Sequence, residues 1–177
     1  MIGVLVSGEG TNLQALIDAG LPIAAVASNR PAVRALERAA AAGIPARVFE
    51  LELYADRDVR DREMADWLQL RGVDLVVLAG YMHLLTSSFL ERFPARIVNV
   101  HPSLLPAFPG AHAIDDALQA GVDTTGVTIH YVDEGLDTGA VIRQEPVTVE
   151  PRTTLVARIH AVEHRLLPEV VQELCAH

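Results

Sequence analysis

Short runs of apolar residues alternate along the chain with longer segments in which apolar residues recur every three or four positions. The runs at 2–6, 23–27 and 73–78 are almost continuously apolar, which is typical of strands buried on both faces of a parallel sheet. The segments at 13–19, 33–42 and about 58–71 have the pattern of helices. This alternation predicts an α/β fold with an open, mainly parallel twisted sheet and helices on both faces.

In the second half of the chain, predicted strands and helices continue, but two of the strands follow each other without a helix between them. A strand at 97–100 leads into a proline-rich loop at 101–110, and a short helix is expected near 113–120. Two strands at 125–132 and 141–149 are joined by a polar loop at 133–139, and a long helix is expected at about 153–174. Because no linker, repeat or low-complexity segment interrupts the pattern, we expect a single domain over residues 1–177.

Composition narrows the class of protein. The net charge of −9 argues against a nucleic-acid binder, because polyanions are bound by clustered Lys and Arg. One cysteine, Cys175, offers neither an intrachain disulfide nor the spacing of a metal site. The apolar run at 2–6 is too short for a signal peptide, and no apolar stretch approaches the ~20 residues that span a bilayer. We expect a cytoplasmic protein that binds neither nucleic acid nor membrane.

The loop after the first strand, Ser-Gly-Glu-Gly-Thr-Asn at 7–12, leads into a helix. Glycines let the backbone approach a ligand closely, and a helix N-terminus presents unpaired N–H groups, so a phosphate is the expected ligand. The plain alternative is a tight turn capped by Thr11 or Asn12. A dinucleotide site is predicted less well than a phosphate site, because Leu13 stands where a third glycine is usual in dinucleotide-binding loops. Arg30 could bind the 2′-phosphate of NADP, so an NADP site stays an alternative.

Asn99 and His101 stand two positions apart at the end of a predicted strand, so their side chains point to the same side. An amide donor beside an imidazole suits a carbonyl carbon that becomes tetrahedral, because both groups can donate to the developing oxyanion. Asp137, in the polar loop, can orient such an imidazole and favour its cationic form. His160 and His164 share one face of the last helix, but the sequence places no third metal ligand beside them, so we expect no metal.

Five segments together resemble the phosphoribosylglycinamide formyltransferase family, which uses 10-formyltetrahydrofolate as co-substrate. The resemblance extends from Ile2 to about Glu169. Its segments are Ser-Gly-Glu-Gly-Thr-Asn at 7–12, Ala-Gly-Tyr-Met at 79–82, Asn-Val-His-Pro-Ser-Leu-Leu-Pro at 99–106, Leu-Asp-Thr-Gly at 136–139 and Glu-His at 163–164. The third and fourth are shared by folate-dependent formyltransferases of this Rossmann-like fold, whereas the first and fifth indicate a glycinamide substrate.

The resemblance implies a role for each matching position. It implies transfer of a formyl group to the amine of 5-phosphoribosylglycinamide in purine biosynthesis, by a monomer or homodimer without a metal. The catalytic residues implied are Asn99, His101 and Asp137. The implied phosphate and ribose site consists of Gly10, Thr11, Asn12, His160 and Glu163. The implied folate site consists of Arg57, Met82, His83, Leu84, Leu85, Asn99, Val132, Asp133, Glu134, Gly135, Leu136 and Asp137.

Two positions depart from the family pattern, since Ala107 stands where Lys is often found and Ala140 where Pro is frequent. Three other functions are compatible with part of this sequence pattern. A methionyl-tRNA formyltransferase would need basic surface that this acidic chain lacks. A formyltetrahydrofolate hydrolase would share the catalytic residues but transfer the formyl group to water. A folate or NADP binding module would not turn over at all.

Overall fold

A computed structural model of the chain describes residues 1–176, which form two compact units. The first unit comprises residues 1–98, and the second begins at Asn99. The predicted single domain over 1–177 stays a prediction, and its last position, His177, lies outside the described residues. None of the helices within residues 1–176 has the length and apolar character to cross a membrane.

The first unit contains parallel strands connected by helices. Its elements are β1 (Ile2–Val6), α1 (Thr11–Asp18), β2 (Ile23–Ser28), α2 (Arg34–Ala41), β3 (Ala46–Val48), a 3₁₀ turn (Leu51–Leu53), α3 (Arg57–Gln69), β4 (Leu75–Leu78) and α4 (Ser87–Leu90). The strand order is β3-β2-β1-β4, and each of the three neighbouring pairs is parallel. Every residue of β1 and β4 is buried, as expected for central strands of a parallel sheet.

Local sequence signals explain where the helices of this unit lie. Helix α3 begins one residue after Asp56, whose Oδ1 accepts a hydrogen bond from the Val59 N–H at 2.8 Å, an N-cap. The expected apolar stripe of this helix, Met64, Trp67 and Leu68, is buried. Helix α2 ends just before Gly43, which adopts the left-handed conformation that stops helices.

The second unit contains the C-terminal part of β5 (Ile97–His101), α5 (Ala113–Ala120), β6 (Thr124–Tyr131), β7 (Val141–Thr148), a 3₁₀ turn (Arg152–Thr154) and α6 (Leu155–Cys175). Its strand order is β5-β6-β7, with β6 and β7 antiparallel. Helix α6 packs on both β6 and β7, and it buries Leu155, Ile159, Leu166 and Leu167. The loop between β6 and β7 therefore emerges from a pair of strands that a long helix supports.

The predicted fold class, α/β with mainly parallel strands, is confirmed by the strand pairing. The predicted helices and strands are present, with ends shifted by at most about two residues, as is usual for such boundaries. The sequence analysis did not predict β3 or α4. Both elements have four residues or fewer, too short for a periodic pattern to be visible.

Candidate active site

Asn99, His101 and Asp137 come together in the second unit. Asn99 and His101 lie on β5, and Asp137 lies in the loop between β6 and β7. The Asp137 Oδ2 atom is 3.4 Å from His101 Nδ1, and its Oδ1 atom is 3.5 Å from Asn99 Nδ2. Asp137 has a φ of 55°, a left-handed conformation that is uncommon for a residue with a side chain and that tends to occur at functional sites.

The His101 ring has an oxygen atom beside each nitrogen. Its Nε2 atom lies 2.8 Å from the carbonyl oxygen of Phe108, and because a carbonyl only accepts, Nε2 carries a proton and donates. Its Nδ1 atom faces the Asp137 carboxylate. A second proton on Nδ1 turns that contact into a charge-assisted hydrogen bond, so the arrangement suits an imidazolium. The ring is buried, with its side chain only 6% exposed.

The Asp137 carboxylate is held in its ionised form. Burial raises the pKa of Asp137, but the adjacent His130 ring, the hydrogen bond from the Gly110 N–H and the nearby His101 ring together outweigh it. The Gly110 N–H donates to Oδ2 at 2.8 Å. The pKa of Asp137 therefore lies below its ordinary value of 3.8, and the side chain is an anion at neutral pH.

His130, on β6, is a member of this cluster that the sequence analysis did not assign. Its Nε2 atom is 3.1 Å from Asn99 Nδ2 and 3.6 Å from Asp137 Oδ1, and the residue is 2% exposed. The sequence carries one signal for it, a titratable residue near the end of a predicted strand. That signal alone does not separate His130 from His83 or His112, which also follow or precede predicted elements.

The loop that carries Asp137 is organised by Asp133. The Asp133 Oδ1 atom accepts hydrogen bonds from the Gly135 N–H at 3.0 Å and from the Thr138 hydroxyl at 2.7 Å. The Asp133 side chain therefore stabilises the loop conformation through hydrogen bonds within the loop. The other loop positions expected in the folate site, Val132, Glu134, Gly135 and Leu136, are partly or fully exposed, and the Leu136 side chain is 51% exposed.

In the first unit, the glycine-rich loop places Gly10 immediately before α1. Gly10 has a φ of 71°, and a Cβ atom there would lie 2.6 Å from the Cβ of Ala35. Only glycine satisfies both conditions. Thr11 and Asn12 form the first turn of α1, where the backbone N–H groups point out of the N-terminal end of the helix. This geometry is typical of an anion site.

The segment that follows β4, 82–85, is held by a buried polar network in the same unit. The Met82 N–H donates to the Ser7 hydroxyl at 2.9 Å, and the His83 ring lies 2.7 Å from Arg60 and 3.2 Å from Asn29. Burial, then the charges of Arg60 and Arg57, lower the pKa of His83. Met82 and Leu84 remain exposed, Leu85 is buried, and Arg57 is exposed at the start of α3.

The anchor of this network is an ion pair that the sequence analysis missed. Arg60 and Asp61 have fully buried side chains, and Arg60 donates to Asp61 Oδ1 from both Nε and an Nη atom, at 2.9 and 2.6 Å. The second carboxylate oxygen of Asp61 accepts from the Thr86 N–H at 2.8 Å. The pair therefore connects α3 to His83 within the segment 82–85 and to Thr86 immediately after it.

On α6, Glu163 is 5% exposed and His160 is half-buried. The rings of His160 and His164 stack with centroids 6.0 Å apart, one helical turn from each other. Within residues 1–176, no group of three or more His, Cys, Asp or Glu side chains has the geometry to hold a metal ion.

The chain as a whole is similar to known proteins. Residues 1–171 match the family model described as formyl transferase. The chain is 38% identical over 182 residues to the phosphoribosylglycinamide formyltransferase of Bacillus subtilis, covering 97% of this chain and 92% of that protein. It is also similar to the crystal structure of glycinamide ribonucleotide transformylase 1 from Geobacillus kaustophilus, with a TM-score of 0.94 and 45% identity over 98% of this chain and 97% of that one.

A longer relative shares the same region. The chain is 44% identical over 184 residues to the trifunctional purine biosynthetic protein adenosine-3 of Drosophila melanogaster, and it spans 14% of the length of that relative. The match covers 98% of this chain. From the family match and these relatives together, we conclude that the chain belongs to the formyl transferase family.

Proposed function

We propose that this chain transfers the formyl group of 10-formyltetrahydrofolate to the amine of 5-phosphoribosylglycinamide, a step of purine biosynthesis. The observation that carries the proposal is the convergence of Asn99 and His101 on the ionised Asp137 carboxylate. Relatives that bear the name of this enzyme support the choice of substrate. We place the protein in the cytoplasm, as a monomer or homodimer that acts on small molecules.

In the proposed reaction, the amine nitrogen of the glycinamide attacks the formyl carbon, and the electron pair of the carbonyl moves to its oxygen. Asn99 Nδ2 and the His101 imidazolium stabilise that oxyanion by donating hydrogen bonds. Asp137 holds the imidazolium and relays the proton lost by the amine. The bond from carbon to the folate nitrogen then breaks, and that nitrogen takes up the proton, so charge and atoms balance.

The role of His101 requires an exchange of hydrogen-bond partners. Its Nε2–H donates to the Phe108 carbonyl, while its Nδ1 faces Asp137. Donation to the oxyanion from Nε2 therefore means that the substrate oxygen replaces the Phe108 carbonyl. Phe108 has a φ of 52°, so its backbone already adopts a conformation that is costly for a residue with a side chain.

The substrate-holding roles follow the chemistry of the two units. The N–H groups of Gly10, Thr11 and Asn12 bind the phosphate; a glycine before a helix N-terminus supports this role, because such a loop favours an anion. Glu163 contacts the ribose or glycinamide end, with His160 near it. For the folate, the exposed Met82 and Leu84 provide apolar contact, together with His83, Leu85 and Arg57. The loop of Val132 to Asp137 completes the folate contacts.

The test follows folate absorbance when purified protein is mixed with a 10-formyl folate, with and without glycinamide ribonucleotide. We expect deformylation that requires the ribonucleotide, and a product heavier by one formyl group in the mass spectrum. The His101→Ala variant, with a thermal melt to verify that it is folded, should lose this activity.

Two other outcomes would contradict the proposal. Release of free formate regardless of ribonucleotide would identify a hydrolase. No consumption of the folate, combined with tight binding of it, would identify a binding module. Titration with NADP under the same conditions tests the remaining alternative, that the chain is an NADP-binding module.

A further inference from the structure

His130 is a buried histidine that the proposed mechanism does not use. Its Nδ1 atom lies 2.8 Å from the carbonyl oxygen of Tyr131, the next residue in the chain. A carbonyl oxygen accepts and cannot donate, so Nδ1 carries a proton. In the neutral ring, the lone pair is therefore on Nε2, which makes this nitrogen a hydrogen-bond acceptor.

This assignment determines how the Asn99 amide is oriented. The amide atom 3.1 Å from His130 Nε2 must be the donor, Nδ2, because two acceptors facing each other would repel. The same Nδ2 atom lies 3.5 Å from Asp137 Oδ1, so an acceptor flanks it on both sides. The oxygen of the Asn99 amide is excluded from this position by both neighbours.

The two hydrogens of Nδ2 are held unequally. The bond to His130 has an ordinary length, whereas 3.5 Å to Asp137 is longer than the usual range for N–H···O bonds. One hydrogen is thus anchored and the other is weakly engaged. The weakly engaged hydrogen is the one that a developing oxyanion can take with little loss of existing bonding.

We propose that His130 is a positioning residue of the formyl transfer: as the neutral Nδ1–H form, it accepts from Asn99 and fixes the amide with Nδ2 towards the reacting oxygen. Without this anchor, the amide can rotate and present its oxygen, which repels an oxyanion. The claim that His130 assists formyl transfer rests on the proposed function. The hydrogen bond from Asn99 to His130 stands on geometry alone.

The first arm of the test observes the hydrogen bond directly. In protein labelled with ¹⁵N in its histidine rings, long-range NMR spectra at neutral pH should show His130 with a protonated Nδ1 and an unprotonated Nε2. In Asn99→Ala, the Nε2 resonance should shift, because its donor is gone. A protonated Nε2 at neutral pH, in a neutral or a cationic ring, would overturn the inference.

The second arm measures kinetics in the full chain. His130→Leu removes the acceptor and should lower kcat by about tenfold or more, part of the ~10²-fold that an oxyanion donor supplies, with little change in KM for the folate. His130→Gln places an amide oxygen near the former Nε2 and should recover most of kcat. Ile129→Val perturbs the buried neighbour on the same strand but leaves the His130 ring in place, and it should leave kcat within about twofold of wild type.

Each alternative outcome decides between roles. A kcat of His130→Leu equal to that of Ile129→Val would overturn the positioning role. Failure of His130→Gln to recover kcat, when both variants melt as folded proteins, would assign His130 a purely structural role. If the wild-type chain transfers no formyl group, the proposed function fails and the catalytic part of this inference fails with it. The NMR arm still decides whether the hydrogen bond exists.

Discussion

Replacing Gly10 by alanine tests whether the glycine-rich loop is built around a position that admits only glycine. Gly10 has a φ of 71° and precedes the first residue of α1. An added Cβ atom would lie 2.6 Å from the Cβ and 2.7 Å from the Cα of Ala35 in α2. The Cα is backbone, so it cannot move aside as the end of a flexible side chain could.

Two costs add in Gly10→Ala. Holding alanine in the left-handed region costs about 1–2 kcal/mol relative to glycine. Relieving the contact with Ala35 resembles overpacking of a core, which costs about 1–3 kcal/mol. The free energy of unfolding should therefore fall by about 2–5 kcal/mol. If α1 moves away from α2 to relieve the contact, the N–H groups of residues 11 and 12 move with it, so KM for glycinamide ribonucleotide should rise more than KM for the folate.

Urea denaturation followed by the fluorescence of Trp67, the single tryptophan, reports unfolding of the unit that contains the loop. Gly8→Ala is the matched control, because a Cβ atom at Gly8 meets nothing within 4 Å. It should change the free energy of unfolding by no more than about 0.5 kcal/mol. Equal effects of the two substitutions, or a Gly10→Ala protein as stable as wild type, would refute the reasoning.

Three further predictions concern charges. Asp137→Asn should lower kcat by about 10²-fold or more and change KM for both substrates little, because the His101 imidazolium loses its carboxylate partner. Steady-state kinetics measure kcat and KM separately, and an unchanged kcat would contradict the role proposed for Asp137. Asp61→Asn leaves the buried Arg60 without its anion, so the free energy of unfolding measured by urea titration should fall by about 3–5 kcal/mol. Glu63→Gln breaks an exposed ion pair and, as the control, should lower the free energy of unfolding by less than about 1 kcal/mol. In the folded protein, the pKa of His83 lies below its ordinary value of 6.5. As the pH falls through 6.5, the unfolded chain therefore binds more protons than the folded chain, and the free energy of unfolding decreases. Urea titrations from about pH 7.5 to 5.5 should show this slope reduced in His83→Gln, and an identical slope would remove His83 as its source.

Local patterns in the sequence determined the fold class and part of the candidate site. A continuous apolar run predicts a buried strand wherever it occurs, so β1, β2 and β4 were predictable without knowledge of their neighbours. Asn99 and His101 were predictable as a pair because residues two apart on a strand point to the same side. Gly10 was predictable because a tight turn between a strand and a helix commonly needs a glycine.

Other features depend on which distant segments meet, and only the tertiary structure decided them. His130 lies 31 positions from Asn99, and nothing in the local pattern of β6 indicates that it contacts the amide. Arg60 and Asp61 look in sequence like the solvated face of an amphipathic helix, yet both are fully buried. Burial of a charge is stable only when a partner is placed to satisfy it, and that placement is a property of the folded chain. The sequence by itself thus determined the elements and the local pairs, whereas tertiary packing determined which polar groups satisfy one another.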